Sequence, residues 1–236
     1  MIWLGIDTAN SPLSVALVKD GRILCEQTST FAQTHSIQAM PAIERLLNEA
    51  GLRPADLEVI AVSEGPGSYT GVRIGVTLAK TLAWTLKIPL VGVSSLEVIA
   101  ANGVPFEGVI CPLFDARREN VYCGLYKSKG ERLHRIWEDR HGALEQFLED
   151  VAYLDQPVLF IGTDVEIHKT AISAKLGDRA VFAPFPQQLP RASQLISLAE
   201  QRIPASDIHQ FVPNYRRIPE AEANWMNEQK QVKSHD

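Results

Sequence analysis

The sequence predicts an α/β protein of two lobes, each a mixed β-sheet flanked by helices. In each half, three strand-like segments come first and helices then alternate with strands, which is typical of an antiparallel meander extended by parallel strands. The first-half pattern also starts again near residue 105. Asp7 and the turn glycine Gly21 are 14 residues apart, and Asp115 and Gly130 are 15 apart, which indicates an internal duplication.

The elements of the first half follow from apolar periodicity and turn residues. An Asp20-Gly21 hairpin signal joins the second and third strands, and Gly51 ends the first helix. The predicted order is strand IWLGID, two strands in LSVALVKDGRILCEQTS, helix HSIQAMPAIERLLNEAG, strand LEVIAVSEG, helix TGVRIGVTLAKTLAWTLK, strand IPLVGVS and helix SLEVIAANG. Within the first helix, one apolar stripe is expected to face the core: Ala39, Met40, Ile43, Leu46, Leu47 and Ala50.

The second half repeats this order and ends in a polar tail. Its predicted elements are strand GVICPLFDA, two strands in NVYCGLYKSKGERLHRI, a helix near GALEQFLEDV, strand PVLFIG, a helix near EIHKTAISAKLG, strand AVFAP and helix RASQLISLAEQR. We therefore divide the chain into an N-terminal lobe, residues 1–103, and a C-terminal lobe, residues 104–217. The tail, residues 218–236, loses periodicity and is expected to be partly disordered.

Composition excludes several classes of function. Of the 236 residues, 45% are hydrophobic and 22% charged, and the net charge is -5, so no strongly basic field exists to hold a nucleic acid without a partner. No apolar run approaches the roughly 20 residues that span a bilayer, and the N-terminus lacks the features of a signal peptide, so we expect a cytoplasmic protein without membrane contact. Cys25, Cys111 and Cys123 form no close pair and are expected to be buried free thiols.

The densest run of small residues, SEGPGSYTGVRIG at residues 63–75, fails three chemical templates. Val72 stands where a phosphate-binding Walker loop needs lysine, and Thr70 stands where a dinucleotide-binding loop needs its last glycine. Pro66 stands where a nucleophile elbow needs glycine. Two alternatives remain: an anion site at a helix N-terminus that Ser68 or Thr70 caps, and a tight strand-to-helix turn.

Two acids end the first strand of each half. In a two-lobed fold, Asp7 and Asp115 would face one cleft, where they could hold a nucleotide's metal ion or act as acid and base; the alternative is that each caps its own turn. No catalytic residue and no metal ligand set is predicted, and no cofactor is required. The residues predicted for weak nucleotide or anion binding are Asp7, Thr8, Gly65, Gly67, Ser68 and Asp115.

Further polar residues are predicted to be structural. Arg117 and Arg118 follow Asp115 directly and could pair with phosphate or with carboxylates, Asp115 included, and a salt-bridged turn is favoured. His141 and His168 are expected at the surface.

The helix after the glycine loop carries a ridge of small residues. Gly71, Gly75, Ala79 and Ala83 recur every four residues, so another backbone can approach this side of the helix closely. The ridge could pack inside its own lobe or against a second subunit. Because mid-helix glycine costs about 1 kcal/mol relative to alanine, we interpret the ridge mainly as a subunit contact.

Six segments together carry a family resemblance. They are IDTANSPLSVAL, HSIQAMPAI, SEGPGSYTGVRIG, GVSSLEVIA, DARRENVYCGLY and VPNYRRIPEAEANW, in this order, and they cover the chain up to about Trp225. The chain resembles the bacterial TsaB (YeaZ) proteins, which are needed to form threonylcarbamoyladenosine on tRNA. The resemblance implies a duplicated actin-like ATPase fold (ASKHA, ribonuclease H-like).

The resemblance also implies a role as a non-catalytic subunit. It would bind and activate a TsaD-type catalytic subunit, with a TsaE-type ATPase in the assembly. The catalytic subunit transfers a threonylcarbamoyl group from threonylcarbamoyl-AMP to the adenosine beside the tRNA anticodon, and this chain meets tRNA only through the complex. The catalytic relatives carry a metal-binding H-x-x-x-H on a helix, where this chain has Ser95 and Ile99.

The resemblance places the contact surface on the helices of residues 35–51 and 70–87, a surface that also forms a homodimer when the catalytic subunit is absent. Arg73 and Lys80 are expected at its polar rim. The expected interface residues are His35, Ile37, Met40, Pro41, Thr70, Gly71, Arg73, Ile74, Gly75, Thr77, Leu78 and Lys80. The alternatives are a glycoprotease-like hydrolase and a stand-alone actin-like ATPase that uses Asp7, Asp115 and residues 65–68.

Overall fold

The structure, a computed structural model, describes residues 1–30, 35–130 and 132–215. The predicted tail, residues 218–236, lies outside the described residues, as does the end of the VPNYRRIPEAEANW segment. The described chain forms two five-stranded mixed sheets, as predicted. Within it, no helix is both long and apolar enough to cross a membrane.

The first sheet has the strand order β3-β2-β1-β4-β5. The first three strands pair antiparallel, and β4 and β5 add in parallel. Asp20 and Gly21 make the predicted hairpin turn, with φ angles of 49° and 74°. The strands are β1 Ile2–Asp7, β2 Leu13–Lys19, β3 Arg22–Ser29, β4 Val59–Ser63 and β5 Leu90–Val93, and the helices are α1 His35–Glu49, α2 Tyr69–Leu86 and α3 Ser95–Ala101.

The second sheet has the order β8-β7-β6-β9-β10, which repeats the first sheet strand for strand. Its first three strands are again antiparallel and its last two parallel, so the predicted duplication is confirmed. The strands are β6 Val109–Asp115, β7 Asn120–Lys129, β8 Arg132–Ala143, β9 Val158–Ile161 and β10 Ala180–Phe182, and the helices are α4 Leu144–Ala152, α5 Val165–Leu176 and α6 Ala192–Ala199.

The third helix of each half packs on the sheet of the other half. Leu96 and Ile99 of α3 lie in one core cluster with Ile110 and Phe114 of β6. Helix α6 lies in a cluster with residues of β1, β2, β4 and β5, and a Cβ atom at Gly5 of β1 would be 2.7 Å from the Ala192 carbonyl oxygen of α6. The exchanged helices therefore interlock the two lobes.

The chain after α6 also returns to the first lobe. The segment of residues 205–215, called the strap here, donates from the Asn214 N–H to the Glu64 carbonyl at 2.7 Å. The Lys80 ammonium donates to the strap carbonyls of His209 at 2.9 Å and Phe211 at 2.6 Å. The predicted C-terminal lobe of residues 104–217 is corrected accordingly, because α6 and the strap, within residues 192–215, pack on the first lobe. Lys80 likewise holds the strap, where a polar rim was predicted.

The three cysteines are free thiols, as predicted. Cys111 and Cys123 are buried in the second lobe, whereas Cys25 on β3 is only partly buried. Burial raises the pKa of the Cys123 thiol from 9.0 to about 12.

Candidate functional site

The glycine loop of residues 65–68 connects β4 to α2 and packs against Ala9, which follows β1. The Ser68 N–H donates to the Ala9 carbonyl at 2.7 Å, and a Cβ atom at Gly67 would lie 2.1 Å from that oxygen. The Ser68 hydroxyl caps α2 by accepting from the Gly71 N–H at 3.3 Å. Glycine at 67 is thus needed for backbone approach, which supports the tight strand-to-helix turn over the anion site.

Asp7 is buried at the end of β1 and caps its own turn. Its Oδ1 accepts from the Ala9 N–H at 3.0 Å, and its Oδ2 accepts from the Ser63 hydroxyl. Burial raises the pKa of the Asp7 carboxyl, although the Ser63 and Ala9 hydrogen bonds act in the opposite direction. The space lined by Asp7, Ile99 and Phe114 between the lobes is too small for a water molecule.

The first-lobe residues predicted for nucleotide binding are therefore occupied by the protein itself. The Thr8 hydroxyl donates to the Gly71 carbonyl at 2.7 Å. The Gly65 N–H donates to the Ser95 hydroxyl at 3.1 Å, and a Cβ atom at Gly65 would lie 2.7 Å from the Asn214 carbonyl oxygen. These internal contacts weigh against nucleotide binding at Asp7, Thr8, Gly65 and Gly67, and weak nucleotide or anion binding stays a prediction.

Asp115 belongs to a separate cluster in the second lobe. His168 Nε2 donates to Asp115 Oδ1 at 3.0 Å, and the Arg117 N–H donates to Oδ2 at 3.2 Å. The Asp115 N–H donates to Asp164 at 2.9 Å, and Asp164 also accepts from Asn10 at 3.2 Å. Asp115 thus caps its own turn and shares no open cleft with Asp7.

Two predictions about histidines were wrong. His168 was expected at the surface, but its side chain is 10% exposed and is bonded to Asp115. His141 is half-buried, and its ring centroid lies 5.1 Å from that of Tyr122. Neither pairing has a spacing signal, because the partners are far apart in the chain.

The small-residue ridge of α2 faces the interior of its own lobe. Gly71, Gly75, Ala79 and Ala83 are all buried. A Cβ atom at Gly71 would lie 2.2 Å from the Thr8 carbonyl oxygen, and one at Gly75 would lie 2.3 Å from the Thr8 hydroxyl oxygen. Gly71 and Gly75 are therefore not at the surface as interface residues; they allow α2 to approach the end of β1.

The opposite sides of α1 and α2 form a surface that we call the outer face. It contains nine of the predicted interface residues. Of these, His35 Nε2 donates to the Ser11 carbonyl at 2.9 Å, which ties the start of α1 to the first loop. Exposed in this face are Ile37, Met40, Pro41, Thr70, Arg73 and Thr77, and half-buried are His35, Ile74 and Leu78.

The sequence prediction misplaced Met40 and missed two aromatic residues. Met40 was placed in the core stripe of α1, yet its side chain is 45% exposed. Tyr69, the first residue of α2, is half exposed and stacks on Tyr215 of the strap with ring centroids 4.9 Å apart. Trp84 is 61% exposed at the far end of α2 and lies edge-on to His209. Tyr69 and Trp84 could have been found from the sequence, because each is a large aromatic residue outside the buried stripe of α2.

Ser95 and Ile99, which stand at the positions of the H-x-x-x-H motif expected in the catalytic relatives, are buried in the protein interior. Ser95 and Ile99 are 1% and 2% exposed, and the Ser95 hydroxyl accepts from the Gly65 N–H. A hydroxyl and an aliphatic side chain replace two imidazoles, so this pair lacks the nitrogen donors that bind zinc-like metals. Among the described residues, no group of three or more His, Cys, Asp or Glu side chains is placed to hold a metal ion.

Comparison with known proteins decides the family. The sequence is 47% identical over 230 residues to the tRNA threonylcarbamoyladenosine biosynthesis protein TsaB of Bacillus subtilis (strain 168), covering 98% of this chain and 100% of the relative. The chain belongs to the TsaB family. The family model described as TsaD, tRNA N6-adenosine threonylcarbamoyltransferase, also matches this TsaB-family chain over residues 24–225.

Other comparisons place the TsaB-family chain beside its structural and enzymatic relatives. The crystal structure of an uncharacterized protein with similarity to peptidase YEAZ, from Pseudomonas aeruginosa, superposes with a TM-score of 0.75 at 26% identity, covering 92% of this chain and 99% of that one. The tRNA N6-adenosine threonylcarbamoyltransferase of Thermus thermophilus is 32% identical over 142 residues, 53% of this chain and 43% of the relative. The predicted duplicated fold of two mixed sheets flanked by helices is confirmed.

Proposed function

We propose that this chain acts in threonylcarbamoyladenosine biosynthesis on tRNA as a non-catalytic partner of a TsaD-type subunit, and that it docks through the outer face. The observation that carries the proposal is the exposed apolar character of this face, where 68% of Ile37 and 45% of Met40 are open to solvent. Arg73 and Thr77 lie beside them, and apolar residues with a polar surround are typical of a protein–protein contact.

The non-catalytic role is supported by what the polar residues already bind. The Ser95 and Ile99 pair offers no imidazole, and the Ser68 hydroxyl serves as a helix cap. A nucleophile needs an adjacent base, and a general base needs access to a substrate. Asp7 is buried against Ser63 and has no such access. These contacts weigh against the hydrolase and ATPase alternatives.

The remaining partners follow from the same surface and from the charge. We propose that two copies of the chain pair through the outer face when the catalytic subunit is absent, and that a TsaE-type ATPase joins the assembled complex. With a net charge of -5, the chain carries no strong basic field for phosphates, so the proposal has tRNA contacted through the complex. It includes no cofactor for this chain.

The test combines size-exclusion chromatography with a transfer assay. The chain is mixed with the TsaD-type subunit of the same organism and supplied with threonylcarbamoyl-AMP, tRNA and the TsaE-type ATPase. Ile37→Asp places a charge in the outer face, and the matched control Ile136→Asp changes a 47% exposed isoleucine on β8 of the second lobe. We expect Ile37→Asp to fold normally by circular dichroism, to lose co-elution and to lower transfer, with Ile136→Asp like the unaltered chain.

Two results would contradict the proposal. Transfer by this chain without the TsaD-type subunit would refute the non-catalytic role. Equal co-elution of Ile37→Asp and Ile136→Asp would remove the outer face as the docking surface.

A further inference from the structure

A recess in the second lobe has no role in the proposed function. It lies between α4, α5 and the β6–β7 turn and has a volume of about 820 Å³, within the range of about 300–1,000 Å³ that is usual for small-molecule sites. Its wall is mostly apolar. The apolar residues that line it are Leu144, Leu148, Ile167, Ala171 and Ala174. We call it the α4–α5 recess.

The corresponding region of the first lobe is packed differently. The corresponding elements there are α1, α2 and the β1–β2 turn, since the two sheets share one strand order. In the first lobe, the His35 ring reaches from α1 to the Ser11 carbonyl at 2.9 Å. The Gly71 backbone of α2 also lies so close to the Thr8 carbonyl that a Cβ atom would be 2.2 Å from it. In the second lobe, by contrast, Ala171 and Ala174 of α5 face the open recess.

The β6–β7 turn holds two arginines at the mouth of the recess in a fixed conformation. Residues 117–119 all have positive φ angles, of 65°, 53° and 61°, although none is glycine. This left-handed conformation is unfavourable for residues other than glycine. The Asn120 side chain donates to the carbonyls of Arg117 at 3.4 Å and Arg118 at 3.0 Å and stabilises this turn. These bonds hold the backbone of the turn that carries Arg117 at the recess.

The charges around the recess indicate which end of a ligand would bind where. The Asp115 carboxylate at the base already accepts from His168 and from the Arg117 N–H. Glu119 and Glu145 also line the recess, and Lys175 lies 3.7 Å from Glu149. The Arg117 side chain lines the recess, and a guanidinium group binds phosphate and carboxylate oxygens in pairs of hydrogen bonds.

We propose that the α4–α5 recess binds a small anionic ligand with an apolar or aromatic body, either a phosphate ester or a carboxylic acid. The anionic group binds at Arg117, and the body lies on the apolar wall of α4 and α5. The recess is on the second lobe, apart from the outer face on α1 and α2, so the ligand does not compete with the docking surface.

The test is a calorimetric titration of the full chain with four probes. AMP represents phosphate esters and hexanoate represents carboxylic acids, whereas adenosine lacks the anion and inorganic phosphate lacks the body. We expect saturable binding of AMP or of hexanoate. The probe that binds shows whether the ligand is a phosphate ester or a carboxylic acid. Adenosine and inorganic phosphate should bind about tenfold more weakly or not measurably, because a charge-assisted hydrogen bond or the buried apolar area is missing.

Two pairs of variants locate the binding. Ala174→Leu fills the recess, and Ser173→Leu is its matched control, because Ser173 is the neighbouring exposed residue of α5 and does not line the recess. Arg117→Gln removes one charge, and Arg22→Gln is its control, because Arg22 is an exposed arginine of β3 that does not line the recess. Ala174→Leu should abolish binding, and Arg117→Gln should weaken it about tenfold. The proposal is overturned if neither AMP nor hexanoate saturates, if adenosine binds as tightly as AMP, or if a variant and its control behave alike.

Discussion

The Thr8 hydroxyl lies directly against the backbone of Gly75, so that a Cβ atom at Gly75 would be only 2.3 Å from its oxygen. The same hydroxyl donates to the Gly71 carbonyl one turn earlier in α2 at 2.7 Å. Helix α2 can therefore lie on the end of β1 only because these two positions have no side chain. The gain from this packing offsets the conformational cost of glycine within a helix.

Gly75→Ala should destabilise the protein. The added methyl group must displace Thr8 or push α2 off the sheet, and overpacking of this kind costs about 1–3 kcal/mol. Urea unfolding measures the loss, with Thr77→Ala as the control, because Thr77 is exposed on the same helix and its change should stay within about 0.5 kcal/mol. If Gly75→Ala kept normal stability and lost only its partner, the ridge would be a subunit contact after all.

The ridge shows where prediction from sequence ends. The helix and its small residues are local features that were predicted correctly, and the observed cap, Ser68, is one of the two residues predicted for that position. Which element packs on the ridge depends on the tertiary structure. A small residue at every fourth position allows close packing on a strand end as well as on a second subunit. The exchange of α3 and α6 between the lobes was unpredictable for the same reason, since a short apolar helix fits either sheet.

The candidate site divides in the same way. The apolar periodicity and the hairpin signal fixed the strand ends, so Asp7 and Asp115 were correctly expected there. Among the described residues they do not share the expected cleft, because Asp7 lines a space too small for a water molecule, whereas Asp115 lines the α4–α5 recess. The His168–Asp115 hydrogen bond joins residues 53 positions apart, and no spacing rule links such a pair.

Asp7 should make stability depend on pH in an unusual direction. Burial raises the pKa of its carboxyl above the ordinary 3.8, so the folded protein holds this proton more tightly than the unfolded chain does. The contribution of Asp7 is most favourable below pH 3.8 and falls as pH rises towards the raised pKa, by up to about 1.4 kcal/mol per pH unit. Asp7→Asn lacks this dependence and should gain stability relative to the unaltered chain as pH rises.

Urea unfolding from pH 4 to pH 7 checks this expectation. Ser63→Ala removes a hydrogen bond that lowers the pKa of Asp7, so it should extend the pH-dependent loss to higher pH. A constant free-energy difference between Asp7→Asn and the unaltered chain would mean that burial does not perturb this carboxyl.

Tyr126→Phe should weaken the connection between the lobes. The Tyr126 hydroxyl donates to Asp139 Oδ1 at 2.5 Å, and Asp139, which is 3% exposed, also accepts from the hydroxyl of Ser94 at the start of α3. Without the Tyr126 donor, a buried carboxyl group loses a partner, which costs about 1.5–3 kcal/mol. Tyr153→Phe is the control, since Tyr153 is 90% exposed; equal urea midpoints for the two variants would contradict the expectation.

Lys80→Met should loosen the strap while leaving the apolar stem of the side chain in place. The ammonium donates to the carbonyls of His209 and Phe211. The strap is also held by backbone bonds such as that from Asn214 to Glu64 and by packing of its apolar side chains on the first core. We expect amide hydrogen exchange at Asn214 to rise about tenfold, because local opening becomes easier by the free energy of a charge-assisted bond. The amides of β1 should be unchanged.

The control for Lys80→Met is Lys169→Met, which removes an exposed lysine of the second lobe that pairs with Glu166. The two possible roles of Lys80 give opposite results. If Lys80 holds the strap, Lys80→Met raises amide exchange in the strap. Partner binding then weakens only indirectly, through the stack of Tyr215 on Tyr69 beside the outer face. Weaker binding of the TsaD-type subunit with unchanged exchange would instead return Lys80 to the polar rim of the interface.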